Sequence, residues 1–218
     1  MASPESRRNF RRSIATRIAL AAVLVAFASP LAAETSGEAS FALCAQCHGG
    51  VGQGNALFGA PPIAGMAEWY VSKQLHKFQD GVRGAHVDDA EGLRMRPMSK
   101  FLKNDEQVAD VSAYVAGLPA VSQAATLTGG DPARGKDLYA PCTACHGADG
   151  KGDQKTNGAP LAGLTDWYIY RSLEKFKAGI RGSDPRDTDG AVMRGMVMIL
   201  QDDQAMKDVV AHIQTFSN

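Results

Sequence analysis

All four cysteines of this 218-residue chain fall in two short segments, Cys44-Ala-Gln-Cys47-His48 and Cys142-Thr-Ala-Cys145-His146. A cysteine pair with a histidine directly after it can close a disulfide, contribute to a zinc site, or carry a haem. Two disulfides are the common use of four cysteines in an exported chain. Bridges within or between the pairs, however, leave both adjacent histidines unexplained. A structural zinc site needs four ligands, whereas each segment offers three and no cysteine remains elsewhere. A thioredoxin-type redox pair belongs in a βαβ setting, which the helical pattern around these segments lacks. C-x-x-C-H is the attachment signature of a c-type haem, and that reading uses every residue. On a helix, cysteines three positions apart share a side, where both form thioethers to the porphyrin. The next residue, His48 or His146, then lies beneath the iron as its proximal ligand. The segments predict two covalent haem c groups, one on Cys44 and Cys47, one on Cys142 and Cys145.

The two segments belong to a longer repeat. A shift of 98 residues superposes Pro62-Ile-Ala-Gly65 on Pro160-Leu-Ala-Gly163, Trp69-Tyr70 on Trp167-Tyr168, and Gly81-Val-Arg-Gly84 on Gly179-Ile-Arg-Gly182. It also superposes Met95, Arg96 and Met98 on Met193, Arg194 and Met196. From Cys44 to Val115 the shift gives 27 identities in 72 positions without a gap, which marks a duplicated domain. The expected organisation is a domain over 34–118, a linker over 119–131 poor in helical pattern and bearing Gly129-Gly130, and a second domain over 132–218. Each domain is about 90 residues, small for a fold held by its own apolar core; a covalent porphyrin supplies the deficit.

Helices must position these groups. Gly37–Cys47 and Arg134–Cys145 each lead into a CxxCH as a helix. The segment "TDWYIYRSLEKFKAG" starts at a capping Thr165 or Asp166, shows apolar residues at helical spacing and stops at Gly179. Its copy is "EWYVSKQLHKFQDG", and each half closes with a further helix. The expected fold class is all-α: two tandem domains, each wrapped around one haem, with ordered loops rich in Gly, Pro and Asp between helices. The second ligand of each iron is drawn from the repeated methionines, Met95 or Met98 and Met193 or Met196; the other member of each pair is a core filler. His76, His86 and His212 are replaced in the opposite repeat by Glu174, Asp184 and Tyr114, which marks them as surface or packing residues.

The first 33 residues read as an export signal. Arg7, Arg8, Arg11, Arg12 and Arg17 precede an apolar run from Ile18 to Ala33 that contains Pro30 and ends in small residues. The expected location is therefore the periplasm, with membrane association if the segment is retained as an anchor. The whole chain carries 23 Lys and Arg and 23 Asp and Glu. Removing five Arg and Glu5 leaves 18 against 22, so the mature chain is mildly acidic and lacks the basic stripe of a nucleic-acid binder.

With both CxxCH motifs, "PPIAG" and "APLAG", "LHKFQDGVRG" and "LEKFKAGIRG", and "MRPM" and "MRGM" in view, the chain resembles class I cytochromes c of the di-haem cytochrome c4 type. The resemblance covers nearly all of the mature chain. It implies that the axial methionine stands seven residues before the leucine leading into the last helix. Counting back from Leu102 and Leu200 gives Met95 and Met193, with Met98 and Met196 as second choices. It implies that the carbonyls of Pro62 and Pro160 accept the proximal histidines' other N–H, and that Gly37 with Phe41 and Gly135 with Tyr139 mark a close crossing of first and last helices. Arg83 and Arg181 are either partners of the haem propionates or solvated surface residues. The pairs Trp69-Tyr70 and Trp167-Tyr168 depart from the family's usual single aromatic and are expected to pack between haem and helix. Histidine and methionine together saturate each iron, so the resemblance implies one-electron transfer per haem, no small-molecule substrate, and no peroxidase activity. The implied partners are redox proteins: a membrane cytochrome complex, an oxidase or a periplasmic dehydrogenase. The alternative is a tightly bound cytochrome subunit of a dehydrogenase such as a flavocytochrome.

Overall fold

The computed structural model describes residues 36–216, so the export segment expected over 1–33 lies outside the described residues. Among the described residues the regular structure is nine α-helices and three 3-10 turns, with no strand beyond two isolated bridges, Asn55 with Ala60 and Asp153 with Gly158. The first repeat holds α1 (Ser36–His48), a 3-10 turn (Ala56–Phe58), α2 (Glu68–Gln79), α3 (Ala90–Ser99) and α4 (Asp105–Gly117). The second holds α5 (Pro132–Tyr139), a 3-10 turn (Ala140–Cys142), α6 (Thr143–His146), α7 (Asp166–Lys177), α8 (Thr188–Met196), a 3-10 turn (Val197–Ile199) and α9 (Asp203–Ile213). Among the described residues no helix is long and apolar enough to cross a membrane.

Each repeat is built on one crossing, α1 against α4 and α5 against α9. Glycine makes both possible. A Cβ on Gly37 would stand 2.3 Å from the carbonyl oxygen of Asp110, and one on Gly135 would stand 1.9 Å from that of Asp208. The last helices start at side-chain caps: Asn104 accepts from the Gln107 N–H and Asp202 from the Ala205 N–H. Phe41, Val71, Leu102, Val108, Val111 and Val115 form the first core. The second is larger and includes Tyr139, Ile169, Leu173, Phe176, Val209, Val210 and Ile213. At roughly 1.5–3 kcal/mol for each large apolar side chain fully buried, these clusters hold the crossings together.

The repeats differ where the sequence breaks its own symmetry. The expected continuous helix over Arg134–Cys145 is instead α5, a 3-10 turn and α6. Pro141 is the cause, since a proline removes a helical N–H and its ring clashes with the carbonyl four residues back. Neither expected cap of α7 works as a simple cap. Thr165 stands at the cap position, but its hydroxyl is buried without a partner. Asp166 turns its carboxylate onto the N–H groups of Trp167, Thr126 and Leu127, which ties the 119–131 segment to the second repeat.

Candidate haem-binding sites

The last turn of α1 carries Cys44, Cys47 and His48; the 3-10 turn and α6 carry Cys142, Cys145 and His146. None of the four cysteines is in a disulfide, and among the described residues no group of three His, Cys, Asp or Glu side chains is placed to hold a metal ion. Burial pushes the Cys44 and Cys142 thiols up from their ordinary value. Burial likewise pulls the imidazoles of His48 and His146 down, so each is held neutral.

Each proximal ring is anchored by one carbonyl. His48 Nδ1 donates to the Pro61 carbonyl at 2.8 Å, and His146 Nδ1 donates to the Ala159 carbonyl at 2.8 Å. A carbonyl only accepts, so Nδ1 carries the proton and Nε2 keeps its lone pair for a metal. This corrects the expectation that Pro62 and Pro160 supply the acceptors; the carbonyl used is one residue earlier. The residue before a proline is confined to extended conformations, which aims that preceding carbonyl. The following N–H groups of Ile63 and Leu161 turn away to Gly52 and Gly150. Pro62 and Pro160 thus orient the acceptor without being it.

In the second repeat a cavity of about 470 Å³ is lined by Cys142, Cys145 and His146 together with Met193 and Met196. Leu161, Leu164, Ile169, Leu173, Phe176, Val197, Val209 and Ile213 make most of its wall apolar. Arg83, Arg181, Lys77 and Tyr168 give it one polar margin, where the Arg83 Nε is buried without a hydrogen-bond partner. An apolar slot with a neutral imidazole in its wall and half-buried cations at one margin fits an iron porphyrin with two propionates. The methionines lie in short helices, Met95 and Met98 in α3 and Met193 and Met196 in α8, rather than on an open loop. Asp89 and Asp187 cap these helices by accepting from the Gly92 and Gly190 N–H groups. Met193 packs against the second core, and all four methionines are half-buried. His212 packs edge-on against Tyr139 and Phe216, and His86 Nδ1 accepts from the Asp88 N–H.

The charged seam between the repeats was not anticipated. Lys77 donates to Asp187 at 2.6 Å and Asp189 at 2.7 Å. Its repeat mate Lys175 donates to Asp89 at 2.5 Å and Glu91 at 2.6 Å, the same pairing with the halves exchanged. Arg83 Nη2 likewise donates across the seam to the Tyr168 hydroxyl at 3.1 Å. Burial opposes ionisation of Tyr168, but the Arg83 and Arg181 guanidiniums outweigh it and bring the phenol down to about 8. Tyr70, facing the same charges, is pushed up by burial and by Tyr168. Lysines and carboxylates retained at the 98-residue offset were the available signal. Arg83 and Arg181 are therefore half-buried rather than solvated surface residues, and the tyrosines of the two aromatic pairs line the seam.

The Cytochrome c family model matches the chain twice, over residues 35–119 and 132–217. The "Thiosulfate dehydrogenase electron acceptor" of Stutzerimonas stutzeri is 34% identical over 163 residues, covering 70% of this chain and 71% of that protein. "Cytochrome c4" of Azotobacter vinelandii is 28% identical over 190 residues, covering 81% and 84%. Among solved structures, reduced cytochrome c4 from Pseudomonas stutzeri is similar with a TM-score of 0.65 at 27% identity, covering 83% of this chain and 97% of that one. One of these relatives is named an electron acceptor and the other two cytochrome c4, which favours a carrier over the fixed flavocytochrome subunit. The repeated CxxCH helices, the anchored histidines and these matches lead to one statement: this chain belongs to the cytochrome c family as a di-haem, electron-carrying cytochrome of the c4 type, with two covalently bound haem c groups.

Proposed function

We propose that this cytochrome is a periplasmic carrier between a dehydrogenase of the thiosulfate-oxidising kind and a terminal oxidase, taking one electron on each haem. The domains are 34–118 and 132–218, and 119–131 joins them. The axial pairs are His48 with Met95 and His146 with Met193, with Met98 and Met196 packing beside them. The observation that carries this reading is that a neutral imidazole and a methionine pair recur in both repeats. When bound, each haem supplies a single ferric–ferrous step. His48 and His146 hold their rings fixed through the Pro61 and Ala159 carbonyls, so the ligand field does not have to rearrange as the charge changes. Methionine ligation favours the reduced state relative to stronger donors. The likeness to a thiosulfate dehydrogenase electron acceptor supports the choice of donor.

The mature chain is mildly acidic, so a basic face on the partner would steer docking, and screening over ~10 Å at 0.1 M ionic strength would slow it. Stopped-flow mixing of the oxidised protein with reduced thiosulfate dehydrogenase, across a salt series, tests this. Fast reduction that slows as salt rises is expected. Fast reduction independent of salt would replace charge steering by apolar docking, and no reduction would remove this donor.

A further inference from the structure

The cavity of the second repeat is not closed by that repeat alone. Tyr70, Gln74, Lys77 and Arg83 of the first repeat complete its wall. Arg83 is the member of that set with a buried N–H left unpartnered. Its Nη1 donates to the Gln74 side-chain oxygen at 2.7 Å and its Nη2 to the Tyr168 hydroxyl at 3.1 Å, both neutral groups. Its guanidinium lies 4.6 Å from the centre of the Phe78 ring, and its Nε is buried with no partner. Arg181 lines the same cavity, 4.3 Å from the Phe176 ring and 3.2 Å from the Ser172 hydroxyl. Among the described residues neither arginine appears in an ion pair, whereas Lys77 and Lys175 at the same seam are fully paired. Two half-buried cations on neutral partners, one with a buried and unpartnered Nε, are costly unless an anion completes the site.

We propose that Arg83 acts across the seam: it belongs to the first repeat but positions the anionic edge of the haem held by Cys142, Cys145 and His146, and raises that haem's reduction potential. The inference rests on the assignment of both CxxCH segments as haem sites. Reduction adds negative charge to the haem, and a half-buried cation on the cavity wall favours that state more than a solvated one because its surroundings are less polarisable than water. The hydroxyl of Tyr168, anchored on α7 of the second repeat, holds the guanidinium in place.

The test is a potentiometric titration of the intact two-haem protein, each haem followed through its own methyl resonances in NMR. Arg83→Gln is expected to shift the second haem about tenfold towards the oxidised form, 59 mV for a one-electron couple, and to move the first haem less. Arg83→Lys keeps the charge and is expected to recover most of the shift. Tyr168→Phe removes the anchor without removing charge and is expected to give a smaller shift on the same haem. A second haem unmoved by R83Q or by Y168F, or a first haem moved more than the second, overturns the proposal. If R83Q does not hold two haems, Y168F decides alone. A wild-type protein lacking covalent haem at Cys142 and Cys145 would instead refute the haem assignment.

Discussion

His48 and His146 show how little a ligand residue specifies by itself. Each is useful because one carbonyl fixes its tautomer and leaves Nε2 free. The cysteines and histidines were readable from sequence because their chemistry is encoded within five consecutive residues. The acceptor was not, because which carbonyl of a loop meets the ring depends on backbone direction, and the Pro61 carbonyl does so rather than that of Pro62. The methionine pairs are a case between these. Met98 stands three positions after Met95, and Met196 three after Met193, so both members fall on neighbouring positions of one short helix and both of the latter pair line the cavity. The family resemblance, which puts the axial methionine seven residues before Leu102 and Leu200, is the ground on which we propose Met95 and Met193. Replacing Met95 by Ala is expected to abolish the methionine-to-ferric-iron absorption band of the first haem and to lower its potential, while Met98→Ala only perturbs them. Optical spectra of the oxidised variants decide it. Loss of the band in Met98→Ala with its retention in Met95→Ala would move the ligand by one helical turn.

At the scale of elements, the crossing glycines place the CxxCH helices. The carbonyl oxygen of Asp208 is only 1.9 Å from where a Cβ of Gly135 would be, and the obstacle is backbone, which cannot rotate away. Gly135→Ala is expected to cost about 1–3 kcal/mol through overpacking, although Ala is otherwise the better helix residue. Gly117→Ala, where nothing lies within 4 Å of the new methyl group, is the control and is expected to be neutral or stabilising. Thermal unfolding of the holoproteins measures both, with about 2–4 °C per kcal/mol for a chain of this size. Equal melting temperatures in the two variants would mean the crossings are looser than described. Helix existence was legible because periodicity and caps are local signals. The break before α6 was missed in the expected helix over Arg134–Cys145, although Pro141 was its local signal. The pinning of the 119–131 segment was not, because Asp166 looks like a cap until its three backbone donors are seen.

For the whole molecule, the seam decides whether two small domains behave as one body. Residues 35–218 cluster as a single unit, and the exchanged pairs of Lys77 and Lys175 lie along their shared boundary. No sequence pattern states that Lys77 meets Asp187, 110 residues away, although both charges recur at the repeat offset. Burial raises the carboxyls of Asp189 and Glu91, but Lys77 and Lys175 outweigh it and hold them below their ordinary 3.8 and 4.5. Depressed carboxylates stabilise the folded state above their ordinary values and lose that contribution as pH falls through the lower folded ones. The melting temperature is therefore expected to fall below about pH 4.5, and to fall less in Lys77→Met, where Asp187 has lost its lysine and Asp189 keeps only Lys73. Equal acid slopes in the two proteins would show that the seam adds nothing. The central claim, however, is that this chain is a carrier with one redox centre in each repeat. Anaerobic titration of the purified protein with a calibrated reductant, followed at the haem absorption bands, tests it most directly. Two CxxCH sites predict two electrons per polypeptide, both returned on reoxidation without any other product; uptake of one electron or none would contradict the account.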